Sequence, residues 1–508
     1  MKYKSTRDSS ISLNSKYAIA KGISEEGGLY VPCSFPKYSH ENLDKMKMLN
    51  YKSRAKFILK DFLTDFSDAE LIDCIESAYS GEKFDLDNPA PVFLGQNSNK
   101  NVYILELWHG PTLAFKDIAL QILPHLLTKS FSEVYKGKRA IIPVATSGDT
   151  GKAAMEGFKN VDGTDVIVFY PEDGVSFIQK KQMLTQEGKN VFVCGVKGNF
   201  DDAQSAIKNI FTNKTVNEAL SDKGMIFSSA NSINLGRLLP QIVYYFSAYC
   251  DLMNNGKINF KGEKVNIVVP TGNFGNILAA YYAKRMGLPI NKLICASNSN
   301  NVLDDFIRTG IYNRNRHLYT TISPSMDILV SSNLERLLYH LTDDSDTKTK
   351  HWMEQLRLYG EYEIDQQTKG KVQDIFYSDF CNENETKNYI RMMFENENYL
   401  CDPHTAVAVG VYDKYISVTN DKDTPTIIVS TASPYKFAES VLLSISNETR
   451  TYNDQFEVIQ DLSTLSGTRI PVSIENLFAK NIVFKNICNK NSILNMILKY
   501  LELDIEEV

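Results

Sequence analysis

Seven short runs of strongly apolar residues constrain the fold of this 508-residue chain more than any other feature. Each run ends in a loop of small residues, and a segment with helical spacing of apolar residues follows. Strands this apolar are buried on both faces, which is typical of parallel sheets covered by helices. The runs are residues 101–107, 140–145, 165–170, 190–194, 265–269, 293–296 and 426–430. The pattern predicts an α/β fold.

The alternation of strands and helices does not extend over the whole chain, and this suggests its domain organisation. Residues 1–95 precede the alternation, so we predict a separate N-terminal domain. We predict a first α/β unit at 96–250 and a second at 251–508. Residues 331–400 are rich in charge, Asn and Gln and carry helical spacing, so we predict a helical insertion there.

Composition excludes several classes of protein. There are 55 Lys and Arg residues against 61 Asp and Glu, and a net charge of −6 argues against a nucleic-acid-binding protein. Eight cysteines without a C-x-x-C pair argue against a zinc ribbon and a disulfide framework. No signal-peptide core precedes the domain, and no apolar run reaches the roughly 20 residues that span a bilayer. We expect a soluble, cytoplasmic protein with no metal site and no nucleic-acid or membrane partner, and its oligomeric state stays open.

Strand-to-helix junctions rich in Gly, Ser, Thr and Asn are candidate binding loops, since ligands bind at the carboxyl edge of parallel sheets. The sharpest is 271–276, TGNFGN, where Gly272 and Gly275 allow backbone amides to turn toward an anion such as phosphate. It lacks the G-x-G-x-x-G of a dinucleotide-binding loop. An ordinary loop between strand and helix is the alternative.

Three further junctions are less specific. Residues 146–151, TSGDTG, lack the first Gly and the final Ser/Thr of a Walker A loop, and their hydroxyls suit either a carboxylate ligand or a helix N-cap. The hydroxyls of 430–434, STASP, also suit capping, with Pro434 early in a helix. Residues 228–236 are followed directly by Arg237, a possible anion contact.

Lys116 is the candidate nucleophile. It follows the turn 108–112 and lies in the first turn of a predicted helix that runs through Ile118, Ile122, Leu123, Leu126 and Leu127. A helix N-terminus repels cations and lowers the pKa of an ammonium group. A neutral lysine amine is the form that makes Schiff bases, although a solvent-exposed lysine without a role is the alternative.

A nucleophilic lysine, a phosphate loop and hydroxyl-rich loops together specify a pyridoxal phosphate site. The motifs, in this order, resemble those of threonine synthases of the longer class found in many bacteria and fungi. That family consists of fold type II pyridoxal phosphate enzymes, similar to the tryptophan synthase β subunit. The matching motifs are 5–7 (STR), 27–32 (GGLYVP), 109–112 (HGPT), 115–117 (FKD), 145–151 (ATSGDTG), 231–234 (NSIN), 271–276 (TGNFGN), 323–328 (SPSMDI) and 402–406 (DPHTA).

The resemblance implies a role for each matching position. Lys116 would be the Schiff-base lysine, Thr431 would lie near the pyridine nitrogen of the cofactor, and Asp149 near its phenolic oxygen. The cofactor's phosphate would be bound by Gly272, Asn273, Phe274, Gly275 and Asn276. The substrate would be bound by Thr146, Ser147, Gly148 and Thr150 at its amino-acid end, and by Asn231, Ser232 and Arg237 at its phosphate. Two positions depart from many relatives: Ser433 replaces His, and Asn276 replaces Asp.

The activity implied is that of a carbon–oxygen lyase acting on phosphates. It converts O-phospho-L-homoserine and water to L-threonine and phosphate by γ-elimination and β-addition, the last step of threonine biosynthesis. Two alternatives share these loops. One is a phospholyase that releases 2-oxobutyrate, and the other is a non-catalytic protein of the same fold that acts by binding partners.

Overall fold

The computed structural model describes residues 1–94, 101–146, 148–198, 200–446, 451–452 and 454–503. The elements of the first half are β1 (Tyr3–Ser5), α1 (Ser15–Lys21), β2 (Tyr30–Pro32), α2 (His40–Lys47), α3 (Tyr51–Phe62), α4 (Asp68–Tyr79), β3 (Val92–Phe93), β4 (Val102–Glu106), α5 (Lys116–Leu120), α6 (Leu123–Val134), β5 (Arg139–Ala145), α7 (Asp149–Phe158), β6 (Thr164–Pro171), α8 (Phe177–Leu184), β7 (Val191–Lys197), α9 (Phe200–Thr212), α10 (Lys214–Asp222), β8 (Met225–Phe227), α11 (Leu235–Leu238) and α12 (Pro240–Asn254).

The elements of the second half are β9 (Val265–Pro270), α13 (Gly275–Met286), β10 (Ile290–Ser297), α14 (Val302–Thr309), β11 (Ile311–Asn313), α15 (Leu334–Leu341), α16 (Asp346–Tyr359), β12 (Glu361–Glu363), α17 (Gln366–Ile375), β13 (Phe376–Phe380), α18 (Glu383–Glu397), α19 (Pro403–Thr419), β14 (Thr426–Ser430), α20 (Ala438–Ile445), α21 (Gln455–Ser466), α22 (Val472–Ala479), β15 (Asn486–Asn489) and α23 (Ile493–Tyr500). Each of the seven predicted runs forms a strand, so the α/β prediction is confirmed.

The strands form two main sheets. The smaller sheet has the order β15-β7-β6-β5-β8 and is parallel throughout. The larger sheet has the order β13-β10-β9-β14-β4-β3 and is parallel except for β3 at its edge. The two sheets are the two parallel layers that the apolar runs predict.

The chain crosses between the sheets more often than the predicted boundary at 250 allows. The strand before Lys116, β4, pairs with β14 in the larger sheet, and β15 near the C-terminus pairs with β7 in the smaller one. Sheet membership depends on which distant strands pair, and no local pattern records that. The segment 331–400 is mostly helical, as predicted, but it also contributes β12 and the edge strand β13.

The helix predicted to continue through Leu127 is two helices, α5 and α6, separated at Gln121–Ile122. The cause is Pro124 in the first turn of α6. Proline has no N–H to donate to the preceding turn, and it restricts the backbone of the residue before it. The apolar spacing survives the break because the apolar residues of both helices are buried in the same core.

The core is continuous from the N-terminal helices to both sheets. Helix α12 is buried along almost its whole length and packs against α2, α3, α5 and α13, as expected for a helix that is apolar on all sides. None of the described helices is both long and apolar enough to cross a lipid bilayer. All eight cysteines lie in described parts of the chain, as free thiols.

Candidate active site

The side chain of Lys116 lies at the carboxyl edge of the larger sheet, as the first residue of α5. Its Nζ is 3.3 Å from Ser325 Oγ and 3.6 Å from Asp149 Oδ2. Burial lowers the pKa of Lys116 to about 8; Asp149 opposes this shift, while Arg237 and Lys436 add to it. A substantial fraction of this amine is therefore neutral and nucleophilic near pH 8.

Asp149 is the first residue of α7, where the helix dipole favours a negative charge. Its Oδ1 accepts from Gln179 Nε2 at 2.8 Å and is 2.6 Å from Lys436 Nζ, and its Oδ2 accepts from Ser325 Oγ at 3.1 Å. Burial raises the pKa of Asp149, but Lys436 and Lys116 outweigh burial and hold that pKa well below its ordinary value. Asp149 is therefore an ionised carboxylate with both oxygens bound.

The loop between β9 and α13 is built to approach a ligand. Phe274 has φ of 61°, a left-handed conformation that turns the chain into the helix. A Cβ on Gly272 would lie 2.6 Å from the carbonyl oxygen of Ser325, so the loop packs directly against the residue that contacts Lys116. Among the described residues, the backbone N–H groups of 272–276 have no hydrogen-bond acceptor.

Two buried donors near this loop also lack expected partners. Asn276 Oδ1 accepts from Tyr244 and Tyr245, but its Nδ2 is buried without an acceptor in the described part of the chain. The guanidinium of Arg237 is buried, donates to the carbonyl oxygen of Ala230 at 3.0 Å, and pairs with no carboxylate of the described residues. Buried donors are nearly always paired, so unpaired amides, an amide NH₂ and a guanidinium together fit a phosphorylated ligand.

Thr431 directly follows β14, next to the turn that carries Lys116. The backbone N–H of Phe115 donates to the carbonyl oxygen of Thr431 at 2.9 Å, and Ala114 and Ala432 form an antiparallel bridge. Because β4 and β14 are neighbours in the sheet, their carboxyl ends bring Lys116 and Thr431 together. The side chain of Thr431 is buried.

The residues predicted to bind the substrate differ from one another in burial and in their contacts. Thr146 Oγ1 accepts from the amides of Gly148 and Gly151 and so shapes its own loop; Ser147 lies outside the described residues. Thr150, Asn231 and Ser232 are half-buried, and Asn273 is exposed. The loop 228–236 is linked to the loop 271–276, because Asn333 Nδ2 donates to Ser232 Oγ at 3.2 Å and to the carbonyl oxygen of Asn273 at 3.0 Å.

Sequence reasoning assigned no role to four residues that hold the site together: Ser325, Gln179, Lys436 and His404. His404 Nδ1 lies 2.7 Å from Asp402 Oδ1, and its Nε2 accepts the backbone N–H of Ser325 at 3.2 Å. Ser325 and His404 lie inside the motifs SPSMDI and DPHTA, so these motifs could have identified them as site residues. No local sequence pattern indicates that Lys436 or Gln179 belongs to the site.

Comparison with known proteins agrees with this geometry. A family model described as "Pyridoxal-phosphate dependent enzyme" matches residues 87–361, more than half of the chain. The fold is therefore that of a fold type II pyridoxal-phosphate-dependent enzyme. Models for the threonine synthase N terminus and C-terminal region match residues 2–79 and 405–476.

Relatives define the family more closely. Threonine synthase of Saccharomyces cerevisiae is 37% identical over 91% of this chain and 93% of its own. The crystal structure of PLP-bound threonine synthase from Brucella melitensis is 33% identical and superposes with a TM-score of 0.85 over 99% of this chain and 98% of that one. Threonine synthase-like 1 of Homo sapiens is 42% identical over 88% of this chain, which spans only 60% of that relative's length. The chain belongs to the threonine synthase family.

Proposed function

We propose that the protein converts O-phospho-L-homoserine and water to L-threonine and phosphate, with pyridoxal 5′-phosphate attached to Lys116. The observation that carries the proposal is the buried amine of Lys116, with its pKa lowered to about 8, between Asp149 and Ser325. The yeast relative with matching length on both chains is named a threonine synthase, which supports the choice of reaction.

The residues present fit the cofactor. The amides of 272–276 and the unpaired Nδ2 of Asn276 would bind its phosphate, which a helix N-terminus also favours. Thr431 would contact its ring nitrogen and Asp149 its phenolic oxygen side. When bound, the cofactor supplies an electron sink for negative charge that develops on the substrate's carbon atoms.

Lys116 has two tasks in this proposal. Its amine would hold the cofactor, and in its free, neutral form it would take the proton from the substrate's Cα. A general base works best with a pKa near the working pH, which the lowered pKa of Lys116 provides. Ser325 Oγ, 3.3 Å from Nζ, orients the amine.

The substrate would lie between the two sheets. Arg237, with Asn231 and Ser232, would bind its phosphate, because the buried guanidinium has donors to spare. Thr146, Ser147, Gly148 and Thr150 would bind its amino-acid end. The buried surroundings of Lys116 keep bulk water away from the reacting atoms until the addition step.

The test is a product assay on purified protein loaded with pyridoxal phosphate. O-phospho-L-homoserine is supplied, and threonine, 2-oxobutyrate and phosphate are measured together. We expect equal amounts of threonine and phosphate. Release of 2-oxobutyrate and phosphate without threonine indicates the phospholyase instead, and no phosphate release indicates the binding protein.

Borohydride reduction followed by peptide mapping tests the attachment site. Lys284 is a matched control, since burial also lowers its pKa to about 8, but its Nζ binds the carbonyl oxygens of Ile290 and Asn291 away from the site. We expect the label on Lys116 alone, and its loss in Lys116→Ala but not in Lys284→Ala. Label on Lys284 would contradict the proposal. We further propose that the protein acts in the cytoplasm, where its eight free thiols suit a reducing medium.

A further inference from the structure

A second lysine is buried in the site. Lys436 lies in the turn between β14 and α20, and its side chain is completely buried. Its Nζ is 2.6 Å from Asp149 Oδ1 and donates to the carbonyl oxygen of Thr112 at 2.8 Å. A buried ammonium group is costly unless it is paired, and Asp149 is the carboxylate that pairs with Lys436. A charge pair buried beside the candidate nucleophile needs an explanation.

The contacts of Asp149 supply that explanation. One carboxylate oxygen faces Lys436 and Gln179, and the other faces Ser325 and Lys116. A single buried carboxylate beside Lys116 would favour the protonated amine and so oppose its use as a nucleophile and base. Lys436 balances the negative charge of Asp149 from the opposite side.

We propose that Lys436 is a positioning residue that acts through Asp149: it holds the carboxylate and offsets its charge, so that the nitrogen of Lys116 can release its proton. The inference rests on the proposed function, since it concerns how the same site works. It assigns to Lys436 a role that is neither cofactor contact nor packing.

The charged groups around Lys436 and Asp149 determine how the Lys116 nitrogen titrates. Asp149 comes from α7, Lys116 from α5, Lys436 from the turn before α20 and Arg237 from α11. Asp117, also on α5, is buried and accepts hydrogen bonds from Thr112. Burial raises the pKa of Asp117 to about 6, and Lys436 acts to lower it. Removing Lys436 leaves Asp149 paired with Lys116 alone, so the protonated form of the Lys116 nitrogen gains stability.

The measurement is the pH titration of the visible absorbance of the holoprotein, which reports the protonation of the Lys116 nitrogen bound to the cofactor. A charge within about 4–6 Å moves a pKa by about 1–3 units, so we expect Lys436→Met to raise the midpoint by about one pH unit or more. Lys436→Arg should restore most of the wild-type midpoint. An unchanged midpoint in Lys436→Met overturns the proposal.

Asp149→Asn tests whether Lys436 acts through Asp149. In that background Lys436→Met should move the midpoint by less than half as much as in the wild type, and an equal shift overturns this part of the proposal. Lys152→Met is the matched control, because Lys152 is a buried lysine on α7 that pairs with Glu156. The titration midpoint of this variant should stay at the wild-type value. A Lys152→Met shift as large as that of Lys436→Met overturns the assignment.

Failure of Lys436→Met to fold is also informative. Removing both charges of a buried pair costs less than removing one, so Lys436→Met/Asp149→Asn should then fold. If the double variant also fails, Lys436 is required for folding and the proposal is wrong. A wild-type protein that binds pyridoxal phosphate without any visible band contradicts the proposed function itself, which separates the two failures.

Discussion

Gly272 is a position where a single added methyl group should disturb the site. Its added Cβ would lie 2.6 Å from the carbonyl oxygen of Ser325, and ordinary contacts begin at 3.4 Å, so the Ser325 backbone must move by about 0.8 Å. The hydrogen bonds from Ser325 Oγ to Asp149 and from Lys116 Nζ to Ser325 Oγ, now 3.1 and 3.3 Å, then stretch toward 4 Å and are lost.

Hydrogen bonds to charged groups contribute about 1.5–3 kcal/mol each, and the two that are lost hold Lys116 and Asp149, which we propose contact the cofactor. We therefore expect Gly272→Ala to weaken cofactor binding by about 10-fold or more. Cofactor dissociation from Gly272→Ala, followed by absorbance, measures this directly. Gly370→Ala is the matched control: Gly370 lies inside α17 with nothing within 4 Å of its added Cβ. The control should keep wild-type cofactor affinity and gain about 0.5–1 kcal/mol in urea unfolding. Gly272→Ala with an affinity within twofold of wild type would refute the packing argument.

Three further outcomes follow from the described contacts. The rate at which pyridoxal phosphate attaches to apoprotein should rise with pH through a midpoint of about 8 and level off at higher pH, because only the neutral amine of Lys116 reacts; a flat profile from pH 6 to 10 contradicts this. Arg237→Met should raise the KM for O-phospho-L-homoserine about 10-fold or more with less than a threefold change in cofactor affinity, and the reverse pattern would move Arg237 to the cofactor's phosphate. Arg54→Met should lower the free energy of unfolding in urea by about 3 kcal/mol, since it leaves Asp251 without the guanidinium 2.6 Å away; a loss below about 1 kcal/mol would contradict this.

The strands were predictable from sequence because burial on both faces leaves a local signature. A run such as β9, with every residue buried and Asn266 as its one polar side chain, is typical of a central strand. Lys116 at the start of α5 was also predictable, because the turn before it and the apolar spacing after it are local. The motif order then pointed to the cofactor.

Sheet membership and charge balance were not predictable in this way. The pairing of β15 with β7 depends on two segments that no local pattern connects. Lys436 in the sequence is one lysine among many, and it becomes part of the site only because folding places it 2.6 Å from Asp149. The role of a buried charge depends on its partner, and the partner here, Asp149, follows a strand of the other sheet.

The pairing of strands explains why that partner matters. Lys116, Thr431 and the loop 271–276 follow β4, β14 and β9, three adjacent strands of the larger sheet, so hydrogen bonding of one sheet fixes their relative positions. Asp149 follows β5 in the smaller sheet. Both lysines that contact Asp149 therefore link the two sheets across the site. The contact of Lys436 with Asp149 does not depend on Lys116, so we expect it to keep Asp149 in place when the amine of Lys116 moves during the proposed reaction.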